Sequence, residues 1–167
     1  MLELVLLTVF PGVVAFAGAM DLFTMTIPNR VSLALVVAFL VLAPLSGFGM
    51  EEMASHFLAG LLVLTVGIVM FALGWFGGGD AKLLAAVALW VGFDSLFAYI
   101  LYVAVAGGVL VELFLLFRNM PLPRAVIGEN WAHRLHKRDG GIPYGIALAA
   151  GALLVYPYTA WFAHLAG

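Results

Sequence analysis

The chain has 167 residues, 65% of them hydrophobic and only 10% charged, with a formal net charge of −2 and a mean hydropathy of +1.17. Soluble domains carry roughly 25% charged residues, so this composition excludes an ordinary soluble protein and describes a polytopic membrane protein. The near-neutral balance offers no basic surface for nucleic acid. The absence of cysteine excludes disulfides, thiolate metal sites and a cysteine nucleophile.

The apolar runs are continuous and do not alternate with period two, which fits helices rather than a β-barrel. The first span is expected over Leu2–Met20. Ala15-Phe16-Ala17 and Ala17-Gly18-Ala19 have the look of a leader cleavage site, but Glu3 precedes them without any Lys or Arg. A retained first span is therefore expected. A polar loop, Asp21–Arg30, contains Ile27-Pro28-Asn29-Arg30, and Pro28 prevents the helix from continuing. Span 2 covers Val31–Phe48, the loop Gly49–Ser55 carries Glu51 and Glu52, and span 3 covers His56–Phe76.

Next comes Gly77-Gly78-Gly79-Asp80-Ala81-Lys82. A charge where a chain re-enters a bilayer is costly and asks for a reason. The glycines remove bulk beside it and permit unusual backbone angles. Span 4, Ala81–Val91, is short for a hydrocarbon core of ~30 Å, so it either extends through Phe93, Asp94 and Ser95 or crosses where the bilayer is thinned. Span 5 covers Leu96–Phe117, a polar segment runs from Arg118 to Gly141, and span 6 covers Ile142–Leu165. No repeat or low-complexity tract interrupts what reads as one domain over 1–167.

Orientation follows from Lys and Arg. Six spans with both termini outside put Arg30, Lys82, Arg118, Arg124, Arg134, Lys137 and Arg138 on the cytoplasmic side. Glu3, Glu51, Glu52 and Asp94 then fall outside. Fusing spans 4 and 5 would split the basic residues between the two sides. The same topology puts Asp21 and Asp80 at one depth, each at the cytoplasmic end of a span.

Two carboxylates at one depth have the makings of an acid–base dyad. Like charges a few ångströms apart do not both ionise easily, so the pair holds one proton. One member accepts a proton from water while the other donates to a peptide carbonyl. Taken singly, each acid also reads as a helix-boundary residue, and Asp80 as an N-cap. As a relay they would suit a proton-coupled transporter. A non-enzymatic subunit of a secretion machine is a third reading.

Gly77-Gly78-Gly79-Asp80 has the form of the GxGD signature of intramembrane aspartyl proteases. Asp21 with Ile27-Pro28-Asn29, then Gly78-Gly79-Asp80-Ala81-Lys82, then Ile142-Pro143-Tyr144-Gly145 resembles the type IV prepilin peptidase family, most of all its short branch associated with Flp and tight-adherence pili. The resemblance spans nearly the whole chain. It implies a peptidase of the bacterial inner membrane with Asp21 and Asp80 catalytic. The implied substrates are prepilins, each a basic leader followed by a hydrophobic helix, cut at the cytoplasmic face. Larger members carry a cysteine-rich insertion and also methylate the new N-terminus. This chain has neither the cysteines nor the room, so cleavage without methyl transfer is expected.

Other residues have plainer readings beside functional ones. Gly77, Gly78, Gly79, Lys82, Pro143, Tyr144 and Glu112 are candidates for lining the site. Lys82 also reads as a snorkelling anchor, and Pro143-Tyr144 as a helix start with an interfacial tyrosine. Glu112 is an intramembrane acid that has Arg118 as an alternative partner. His133 and His136, with Glu129 and Asp139, sit in a basic stretch that would repel a cation, so no metal or other cofactor is expected. Trp131 and Leu135 suggest an interfacial helix against anionic lipid. His56 and His164 read as structural, and Ala59-Gly60 and Gly107-Gly108 as close-packing positions between helices.

Overall fold

The computed structural model describes residues 2–122, 126, 128–137 and 140–166. Its elements are α1 (Leu2–Thr24), α2 (Asn29–Leu45), α3 (Met50–Ala72), α4 (Gly78–Asn119), α5 (Asn130–His136), α6 (Gly145–Val155), a 3₁₀ turn (Tyr156–Tyr158) and α7 (Ala160–Ala166). Among the described residues there is no strand. Among those residues four stretches are long and apolar enough to cross a membrane: Leu2–Thr24, Met50–Ala72, Gly78–Asn119 and Gly145–His164. The equally apolar α2 has 17 residues, about 25 Å of helix.

The first arm of α4 is the axis of the fold. Every residue from Leu83 to Gly92 is buried, which is where a helix apolar on all sides must go. α2, α3 and α6 all pack on α4. Glycines set the approach of the neighbours. A Cβ on Gly67 would lie 3.1 Å from that of Ala81, and one on Gly60 would lie 3.1 Å from that of Leu89, so α3 runs antiparallel to this arm. On α6, a Cβ on Gly151 would meet Val103 at 2.6 Å. Small residues allow such contact where no hydrophobic force separates helix from lipid.

At 42 residues, α4 would be about 63 Å long if straight, twice the ~30 Å hydrocarbon core. It breaks at Gly92, where φ is 70° and ψ 174°. The chain folds back there. Gly79 touches Ile27 at the start of α4, while Arg118, near its end, binds the carbonyls of Gly140 and Gly141 close to Met25. Carbonyls beside the break take side-chain partners in place of helical ones. His56 Nδ1 donates to the Leu89 carbonyl at 2.8 Å, and Trp161 Nε1 donates to that of Trp90 at 2.8 Å. Trp90 in turn donates to the Leu35 carbonyl at 2.8 Å and stacks on Trp161 with centroids 4.5 Å apart. His56 is therefore a structural residue of the turn.

The two ends of the bundle differ in charge. Asp21, Asp80, Arg30, Lys82, Arg118 and Arg134 gather at one end through contacts of Lys82 with Asn29 and of Arg134 with Phe23. The other end holds Glu51, Glu52, His56 and Asp94 around one cavity, with His164 on Glu52 at 3.1 Å. Arg124, Arg138 and Asp139 lie outside the described residues.

Several expected boundaries move. Spans 4 and 5 remain two helical arms, as expected, but meet without a loop at the non-helical Gly92, and Phe93–Ser95 belong to the second arm. Helix α1 continues to Thr24, so Asp21 lies in its last turn and not in a loop. Helix α3 stops at Ala72, with Gly74 at φ 74°. Span 6 is interrupted around Pro157, whose missing N–H favours a 3₁₀ turn there. Gly107 does close-pack, against Tyr144, but Gly108 meets nothing within 4 Å.

Gly92→Ala should destabilise the fold by at least about 2 kcal/mol, from the left-handed backbone alone. Its Cβ would also stand 2.6 Å from His56 Nε2. Thermal unfolding in detergent reads this directly, and an unchanged midpoint would contradict the turn described here.

Candidate active site

Asp21 and Asp80 line one cleft of about 260 Å³, closed on one side by Met25, Thr26 and Ile27 and on the other by the three glycines. The chain reaches this arrangement by bringing the end of α1 against the start of α4. Asp21 is only 5% exposed. Its Oδ2 accepts the Gly145 backbone N–H at 2.7 Å. Asp80 is half-buried in the first turn of α4. Its carboxylate lies against the Gly77 backbone and shares the cleft with that of Asp21. This reach back from the third helical residue to the N-cap is the acidic half of a capping box. A helix N-terminus also favours a negative charge.

Each glycine before Asp80 faces a different neighbour. A Cβ on Gly77 would stand 2.6 Å from Asp80 Oδ2 itself. One on Gly78 would meet the Phe71 ring at 3.3 Å, where α3 folds back into α4. One on Gly79 would meet the Ile27 Cβ and carbonyl oxygen, both at 3.2 Å. The last contact brings the loop after Asp21 onto the helix that carries Asp80.

The chain leaves α1 through Met25, whose φ of 55° is left-handed. Such an angle is uncommon for a residue with a side chain. The Met25 N–H still closes the last turn of α1 on the Asp21 carbonyl at 2.8 Å, and the reversal that follows brings Ile27 down beside Gly79. Pro28 then caps α2 in an extended conformation.

The third sequence block arrives from the far end of the chain. A Cβ on Gly145 would lie 2.8 Å from the Asp21 Cβ and 2.9 Å from its Oδ2, so only glycine lets this N–H reach the carboxylate. Pro143 is buried and Tyr144 half-buried, with a Gly107 Cβ position 3.1 Å from its ring. Lys82 turns away from the cleft to donate to Asn29 Oδ1 at 2.8 Å. Glu112 is exposed on the second arm of α4 and lines no part of the cleft. Arg118, its alternative partner, is buried instead against carbonyls, donating to Leu135, Gly140 and Gly141 at 2.7–2.9 Å.

Those three bonds strap α5 and the Gly140–Gly141 segment over the end of α1. Arg134 adds a bond to the Phe23 carbonyl, and Trp131 meets Phe23 edge-on at 5.4 Å. Ala132 and Leu135 are buried by this packing, so α5 covers protein. Among the described residues no group of three or more His, Asp and Glu gathers as a metal site.

Reading residues in sequence singled out both acids, the glycines and Pro143-Tyr144. It did not single out Gly145, Met25 or Ile27 as site residues. Gly145 carried a signal, a glycine directly after Pro143-Tyr144. Met25 carried none, because its role is a backbone angle. In this cysteine-free chain, the pair Ile27→Cys and Gly79→Cys should form an intramolecular disulfide under mild oxidation. The expected Cβ separation, 3.2 Å, lies just under the bridgeable range of about 3.5–4.5 Å. Peptide mapping that found both thiols free would contradict this docking of the loop on α4.

A family model described as the type IV leader peptidase family matches residues 8–111, a stretch that holds Asp21, Ile27-Pro28-Asn29, the glycine turn and Asp80. No curated protein and no solved structure matches the chain. The family match covers more than half of the sequence, and the chain belongs to the type IV leader peptidase family.

Proposed function

We propose that this protein is an aspartic prepilin peptidase in which Asp21 and Asp80 are the catalytic pair. The observation that carries the reading is that two acids far apart in sequence line one small cleft. The Gly145 N–H engages Oδ2 of Asp21, and the Asp80 carboxylate lies against the Gly77 backbone. With one proton between them, the ionised member takes a proton from a water molecule as that water attacks the scissile carbonyl. The protonated member donates to the carbonyl oxygen. Collapse of the tetrahedral intermediate breaks the C–N bond, and the departing amine takes up a proton from the pair. The two act as a unit, so neither acid is assigned a fixed role.

Six crossings with both termini outside follow if the Gly92 break is counted as a turn between two crossings. The basic end of the bundle is then cytoplasmic, and the cleft faces the side from which a basic leader approaches. The substrate would be a prepilin of the Flp or tight-adherence type in the bacterial inner membrane. The free N-terminus would leave unmethylated.

Asp21→Asn and Asp80→Asn should each lower leader removal from a co-expressed prepilin by at least about a thousandfold, because groups that act as a unit fail together. Folded variants of both that still cleave within tenfold of wild type would end the reading, as would proton flux in liposomes with no cleaved product. Mass spectrometry of the mature pilin, made with S-adenosylmethionine present, should find an unmodified N-terminal amine. A mass raised by one methyl group would contradict the proposal of cleavage alone.

A further inference from the structure

A second cavity opens beside the cleft and takes no part in the chemistry above. α2 and α3 touch at the acidic end, where Phe39 meets Phe57 and His56 with ring centroids 5.7 Å and 5.6 Å apart. Toward the basic end they diverge. The slot between them measures about 610 Å³ and has α4 as its floor. Small residues, Ala85, Ala86 and Gly60, form its depth, and Leu33, Val36 and Leu61 are among the apolar walls. Asn29, Arg30 and Lys82 stand at its mouth.

We propose that this slot binds one anionic phospholipid, its phosphate on Arg30 and Lys82 and one acyl chain along the slot. Three observations carry this. First, among the described residues neither mouth cation has an acidic partner: no carboxylate lines the slot, and Lys82 donates to the neutral Asn29 amide. A basic pocket between helices at the cytoplasmic surface is the chemistry that retains acidic headgroups.

Second, Ser32 lines the slot, is 8% exposed, and leaves its hydroxyl without a partner. Thr8, Thr24, Ser46 and Thr65 all bond the carbonyl four residues back on their helices, and Ser32 does not. It sits about 4.5 Å deeper than Asn29 along α2, the level at which an acyl ester follows its phosphate. The hydroxyl itself is buried, and a turn about the Cα–Cβ bond is what would bring it to that ester.

Third, size argues for a chain and against a helix. The slot is an open groove of about 610 Å³ between α2 and α3; a single extended chain lies within it, whereas a helix about 10 Å across would stand largely outside. The slot takes one flexible chain more naturally than a substrate's helix.

The test is native mass spectrometry of the detergent-solubilised protein titrated with phosphatidylglycerol or phosphatidylcholine. Wild type should retain one phosphatidylglycerol at about a tenth of the phosphatidylcholine concentration needed. Arg30→Gln with Lys82→Gln should abolish that preference. Val36→Trp, which fills the slot, should lose both lipids while keeping the wild-type unfolding midpoint. Equal retention of both lipids by wild type, or phosphatidylglycerol retention untouched by Val36→Trp in a folded protein, would overturn the proposal. Displacement of the lipid by an equimolar single-span apolar peptide would overturn it too, and assign the slot to a helix. None of these readouts depends on cleavage, so they stand whether or not the peptidase reading holds.

Discussion

The close approach of three backbone segments around two carboxylates is the constraint on which the rest of this structure depends. Ile27 rests on Gly79, Gly145 donates its N–H to Asp21, and Gly77 turns beside the Asp80 carboxylate. A Cβ at Gly77 or Gly145 would collide with an aspartate side chain, and one at Gly79 would press on Ile27 at 3.2 Å. Burying an acid at a membrane edge is costly unless its oxygens are satisfied, and backbone N–H groups satisfy them without adding a charge. A cationic partner would hold its carboxylate ionised and remove the proton that acid–base work needs. Lys82, the nearest cation in sequence, is instead engaged by Asn29.

The helical scaffold makes that approach repeatable. The first arm of α4 is enclosed by α2, α3 and α6, and its far end is fixed by His56, Trp161 and Trp90 through hydrogen bonds to or from the backbone. Asp80 thus projects from an element that is anchored at the opposite face of the bundle. Asp21 has less support from its own helix. It relies on the Met25 reversal below and on the α5 strap, held by Arg118 and Arg134, above. That asymmetry leaves the α1 side of the cleft held by loop contacts, and the α4 side by a buried helix.

Much of this was legible in the sequence because it was written in residue types. Continuous apolar runs announced membrane helices, and the basic residues sorted the ends of the bundle. A run of three glycines before an acid announced a backbone approach. What stayed hidden was written in geometry. Nothing in the composition around Gly92 distinguishes a helix that reverses there from one that ends near Asp94, because the carbonyl acceptors for His56 and Trp161 arise only after folding. The Arg118 strap was hidden for the same reason: its partners are three carbonyls, and a carbonyl has no signature in sequence. Glu112, by contrast, looked functional as an intramembrane acid, yet the second arm of α4 carries it to an exposed face away from the cleft.

The account stands or falls on both carboxylates acting on one atom. The most direct measurement is a structure of the protein bound to a prepilin-derived peptide in which a secondary hydroxyl replaces the scissile carbonyl. The account requires that hydroxyl to lie within hydrogen-bond reach, about 2.6–3.2 Å, of one oxygen from Asp21 and one from Asp80. A bound peptide whose hydroxyl touched only one acid, or that seated its scissile position outside the glycine-lined cleft, would contradict it.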